Sequence, residues 1–96
     1  MPITNLENGY GVRHPIPISV QRIEGSFVVS FAATNLHAPG DTLDEAVSNL
    51  KYLLADTLDL LLTHRSDELG PAPKRHLSVL QSYIRKTEDA QQRTRA

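Results

Sequence analysis

The feature that most constrains this chain is a change of period between Ser26 and Leu62. Residues Ser26 to Ala32 read Ser-Phe-Val-Val-Ser-Phe-Ala, an alternation of period two. After a short link comes Gly40-Asp41-Thr42-Leu43-Asp44-Glu45-Ala46, and then a leucine-rich segment whose apolar residues recur every three or four positions. A strand that gives way to a helix across a Gly-Asp-Thr junction must turn that helix back over the sheet it has left.

On the strand, Phe27, Val29 and Phe31 share one face, and Ser26, Val28, Ser30 and Ala32 share the other, so one side suits a covering helix. Upstream, Ile16, Ile18, Val20 and Arg22 alternate with Pro17, Ser19, Gln21 and Ile23. This pattern predicts a first strand with one buried face and Pro17 at its start or edge. Glu24-Gly25 predicts a two-residue hairpin turn with positive φ at Gly25. A short third strand is expected over Asn35 to Ala38, ended by Pro39-Gly40.

Asp41 or Thr42 is the expected helix cap. Thr42-Leu43-Asp44-Glu45 has the form of a capping box, with Glu45 reaching back to the cap. Leu43, Val47, Leu50, Leu54, Leu58 and Leu61 form one stripe, which Leu53, Leu60 and Leu62 widen. A single helix on a small sheet needs only one stripe. The surplus leucines Leu53, Leu60 and Leu62 therefore predict a seam against the last helix or a second copy, and a homodimer is the expected state. Ser66 to Pro73 is rich in helix breakers, and helical character resumes from Lys74 to about Thr87 through Leu77, Leu80, Tyr83 and Ile84.

The expected class is α+β: a small antiparallel sheet of two to three strands covered by a long helix, plus a C-terminal helix. Residues 1–15, rich in turn formers, read as a loosely held arm, residues 16–87 as the folded domain, and residues 88–96 as a flexible tail. A chain of 96 residues holds one such domain. It has no cysteine, which excludes disulfides and thiolate ligands. Asp56 and Asp59 interrupt the leucines, so no membrane span is expected. The N-terminus lacks the pattern of a signal peptide, and a cytoplasmic location is the expectation.

Charge is unevenly spread. Residues 1–68 hold four Lys/Arg against nine Asp/Glu, whereas residues 69–96 hold six against two. Lys74, Arg75, Arg85, Lys86, Arg93 and Arg95 are ordinary surface charges or a phosphate-attracting segment, and Lys74 and Arg75 are the candidate anion contacts.

The residue types needed for catalysis do not fall into a recognisable pattern. His14, His37, His64 and His76 lack the spacing of three or four that places two metal ligands on one helix face. Asp56 and Asp59 fit a solvated helix face, and the two best strands carry no carboxylates between which a divalent ion would sit. There is no phosphate-binding glycine motif and no motif for a serine nucleophile. Binding rather than catalysis is the expectation, without metal or cofactor.

Gly40-Asp41-Thr42-Leu43-Asp44-Glu45-Ala46 with Asn49-Leu50-Lys51, following the alternating strand, resembles the HicB family of antitoxins over roughly Ile16 to Leu62. That family's fold is a partial ribonuclease-H-like or double-stranded-RNA-binding-like arrangement. Members commonly carry a Phe-Pro-Asp-Leu-Pro-Gly-like run after the second strand, where this chain reads Phe31-Ala-Ala-Thr-Asn-Leu-His37. Many also append a DNA-binding module, where this chain has one helix and a polar tail after Gly70. The resemblance implies a short HicB-like domain that occludes a HicA-like, RNA-cleaving toxin. A toxin surface that grips RNA must be basic, so acidic residues of the body such as Asp41, Asp44 and Glu45 are the expected partner surface. The alternatives are an orphan dimeric domain and a nucleic-acid-associated regulator using the basic C-terminal segment.

Overall fold

The computed structural model describes residues 2–6, 9–64 and 68–86. Its centre is an antiparallel sheet of strands β4 (Ser19–Ile23), β5 (Ser26–Phe31) and β6 (Leu36–Gly40), in that spatial order. The α+β class is as the periodicities predict. The 21-residue helix α1 (Leu43–Thr63) lies on β5 and β6, and α2 (Pro71–Tyr83) packs beside it. Two short ribbons complete the fold: β1 (Pro2–Ile3) pairs with β3 (Ile16–Pro17), and β2 (Tyr10–Val12) pairs with β7 (Ile84–Lys86).

The β4–β5 hairpin closes on Ile23 opposite Ser26, with Glu24 (φ 47°) and Gly25 (φ 83°) both left-handed. This is the combination that matches the twist of paired strands. In register, Val20, Val29 and Ala38 form one cross-strand row, and Arg22, Phe27 and Gly40 the next, on the face that α1 covers. Val29, Phe31 and Ala38 are buried there with Ala46, Leu50, Leu54, Leu58 and Leu61 of α1, and the Phe31 ring meets Tyr83 edge-on at 5.5 Å between centroids. Ile3, Ile16, Leu80 and Ile84 join the same core. Each such side chain withdrawn from water contributes roughly 1.5–3 kcal/mol.

The junction into α1 works as a cap. Thr42 is extended, and its Oγ1 accepts from the Glu45 N–H at 3.1 Å. Glu45 Oε1 accepts from the N–H of Asp41 at 3.0 Å, one residue before the cap rather than at it. Asn49 on the next turn donates to the Pro39 carbonyl at 2.8 Å and so clamps helix to strand.

Several elements differ from the sequence-based expectations. The first strand breaks in two: Ile16–Pro17 pairs with the N-terminus, and only Ser19–Ile23 joins the central sheet. Pro17 has no ladder donor, and the chain changes partner there. β4 has no buried face, because α1 is displaced toward β6 and leaves Val20 and Arg22 exposed. The third strand is Leu36–Gly40, with Pro39 and Gly40 inside it rather than ending it; Asn35, left-handed at φ 57°, belongs to the preceding turn.

The described residues among the first fifteen include two strands, β1 and β2. Ile3 is buried against the core, Lys51 Nζ donates to Asn5 Oδ1 at 2.9 Å, and Tyr10 hydrogen-bonds Asp59. The last helix starts at Pro71, because proline suits the first helical position, where no N–H is needed. It ends at Tyr83, after which the β-branched Ile84 pairs with Val12. Ser66, Asp67, Thr87 and the tail 88–96 lie outside the described residues.

Candidate functional site

The carboxylates at the α1 entry are placed by the cap. Asp41, Asp44 and Glu45 are all exposed, within the last residue before the cap and the first helical turn. The helix dipole favours negative charge there by about 0.3–1 kcal/mol per group. Glu45 is committed to the backbone of Asp41, whereas among the described residues no cation lies within ion-pair distance of Asp41 or Asp44. Together they form a small acidic knob at the corner where β6 passes into α1.

The predicted leucine seam does not stay together. Leu53 and Leu60 are seven residues apart and share one flank of α1; Leu60 is 60% exposed and Leu53 half-buried. Leu62 stands two residues on, about 200° around the helix from Leu60. It is 39% exposed on the opposite flank. Lys74 and Arg75 are exposed in the first turn of α2, where the Lys74 N–H bonds the Gly70 carbonyl and the cap residue supplies no side-chain acceptor.

One constellation escaped sequence reasoning. On the uncovered face of the sheet, Ser30 Oγ lies 2.8 Å from His37 Nδ1, and His37 Nε2 lies 3.1 Å from Asn35 Oδ1. An amide oxygen only accepts, so Nε2 carries a proton, and in the neutral imidazole Nδ1 then accepts from the Ser30 hydroxyl. The pairing depends on a register that sets Ser30 opposite His37, and no spacing motif announces it. Ser30 also lines an open cleft of about 280 Å³ with Ser19, Phe31 and Tyr83. The order hydroxyl, imidazole, amide is that of a nucleophile, a base and an orienting group. An amide does not offset the charge an imidazolium would acquire as a carboxylate does, and His37 is exposed to water. We assign the trio to fastening β6 and the left-handed Asn35 turn to β5.

Beneath α1, burial first, then the hydrogen bond to Asp59 and the negative charges of Asp59 and Asp56, push the Tyr10 hydroxyl above the usual phenol range. It therefore serves as a fixed donor between β2 and α1. Among the described residues no three His, Asp or Glu side chains converge as a metal-ligand set, and no helix is long and apolar enough to cross a membrane. No family model, curated protein or solved structure matches the chain.

Proposed function

We propose that this chain is a non-enzymatic interaction domain of HicB-like type that binds and occludes a small, basic, RNA-cleaving toxin. The observation that carries the reading is the acidic knob. Asp41 and Asp44 are exposed, without a neutralising cation among the described residues, on a capped helix entry that holds them in place. A nuclease that grips RNA must present cations, and a preorganised acidic corner steers such a surface into contact and competes with the phosphates.

The strand-strand-strand-helix order around Gly40-Asp41-Thr42 supports the reading further, because it is the segment on which the resemblance to HicB antitoxins rests. The test is titration of a HicA-like toxin's RNA cleavage by the wild-type chain and by an Asp41→Lys/Asp44→Lys double variant. Neither carboxylate supplies a capping side chain, so the helix should persist by circular dichroism. Inhibition by wild type that weakens at least tenfold in the variant supports the reading. Equal inhibition by both, or none by either, counts against it.

A further inference from the structure

The two edges of the central sheet are built differently. In a two-residue hairpin the closing pair exchanges backbone hydrogen bonds, so Ser19, Gln21 and Ile23 turn their N–H and C=O groups toward β5. Val20 and Arg22 turn theirs outward. By the same alternation Phe27, Val29 and Phe31 bond β6, which leaves His37 and Pro39 facing outward on the other edge. That edge is blunted: Pro39 has no N–H, and its carbonyl is taken by Asn49. On the β4 edge no proline removes an outward N–H, Arg22 is its one charged side chain, and no strand pairs with it among the described residues. Val20 and Ile23 are 43% and 44% exposed along it.

We propose that β4 is the self-association surface of this chain, and that its occupant is the β4 strand of a second copy, antiparallel about a twofold axis at Gln21. The outward groups match themselves in that arrangement. Val20 faces Arg22 of the second copy, and Arg22 faces its Val20, two pairs that each exchange two backbone bonds. Gln21 meets Gln21 at the non-bonded position between them, and an amide both donates and accepts.

No like charges stand directly opposite, because each Arg22 faces a valine. The Arg22 guanidinium is drawn back over the Phe27 ring, 5.8 Å from its centroid, which leaves the aliphatic stem to cover the partner's Val20. The central sheets of both copies become continuous, and the exposed Val20 gains cover that α1 does not provide. One short edge buries less area than an obligate interface, so the dimer is concentration-dependent. The proposal is independent of the toxin-binding reading and differs from a seam along α1.

The test uses the chain alone, so its failure leaves the toxin-binding reading standing. Sedimentation over a concentration series should give twice the 10.6 kDa chain mass at high concentration. Val20→Pro removes an outward donor without touching the β5 ladder and should reduce the mass to 10.6 kDa with the circular dichroism spectrum retained, while Leu60→Glu leaves the dimer intact. If Val20→Pro unfolds, cysteine placement decides. The chain has no cysteine of its own, and paired residues at the non-bonded site approach to about 4.5 Å between Cα atoms. Gln21→Cys should therefore oxidise to a disulfide-linked dimer, whereas Ile23→Cys, whose two copies stand roughly 13 Å apart along the strands, should not. A monomeric wild type, a crosslink at position 23 but not 21, or dissociation by Leu60→Glu but not Val20→Pro would each overturn the proposal.

Discussion

Gly40 lies so close to the first turn of α1 that a Cβ built on it would overlap the backbone nitrogen of Ala46 and stand 2.7 Å from the Ala46 Cα. The obstructing atoms are helix backbone, which has no rotamer to escape into. The glycine is thus required by the close approach of β6 and α1 rather than by the turn that follows it. Gly40→Ala should lift the helix from the sheet and cost about 3 kcal/mol. Urea unfolding of the two proteins measures the difference, and a change below about 0.5 kcal/mol would place it among ordinary surface substitutions.

Thr34, in the 3-10 turn between β5 and β6, is 3% exposed, and its hydroxyl has no hydrogen-bond partner among the described residues. An orphaned buried hydroxyl costs on the order of 1–3 kcal/mol. Thr34→Val keeps the shape and removes the cost, so it should stabilise the chain by about 1 kcal/mol. A higher denaturation midpoint at unchanged slope is the expected readout; a lower midpoint would mean that the hydroxyl is bonded after all.

Tyr10 and Asp59 link the N-terminal ribbon to α1, and this contact depends on pH. The ordinary phenol pKa is 10.0 and that of folded Tyr10 is higher. Below the ordinary value both folded and unfolded chains keep the proton, so the stabilisation is fully present. As pH rises past about 10 the unfolded chain ionises first and binds fewer protons, so stability falls. Tyr10→Phe should lower stability near neutral pH by about 1–2 kcal/mol by removing the donor to Asp59. It should also flatten the alkaline decline. An alkaline decline of equal slope in both proteins would show that Tyr10 is not its source.

The local signals in the sequence were legible because their causes are local. Glu24-Gly25 marks the hairpin, and Thr42 with Glu45 marks the helix entry, through backbone requirements satisfied within a few residues. Phe27, Val29 and Phe31 announce the covered face through period two alone. The pairings of Pro2 with Pro17 and of Tyr10 with Lys86 were not legible, since each joins segments too short to show a period and distant in sequence. Residues 1–15 consequently read as an arm although Ile3 is in the core.

At the candidate site, the carboxylates of Asp41 and Asp44 were readable from the cap that positions them. The surplus of leucines was readable too, but their division between two flanks depends on where α1 meets the sheet. The open β4 edge and the Ser30–His37–Asn35 trio follow from register, which emerges only once the strands are paired.

Toxin occlusion is tested first by capture of the tagged chain from its native cells, followed by an RNA-cleavage assay on whatever protein is bound to it. The expected result is a small basic protein in stoichiometric amount that cleaves RNA once separated and stops when the chain is added back. Recovery of the chain alone, or of a partner whose activity the chain leaves unchanged, would contradict it.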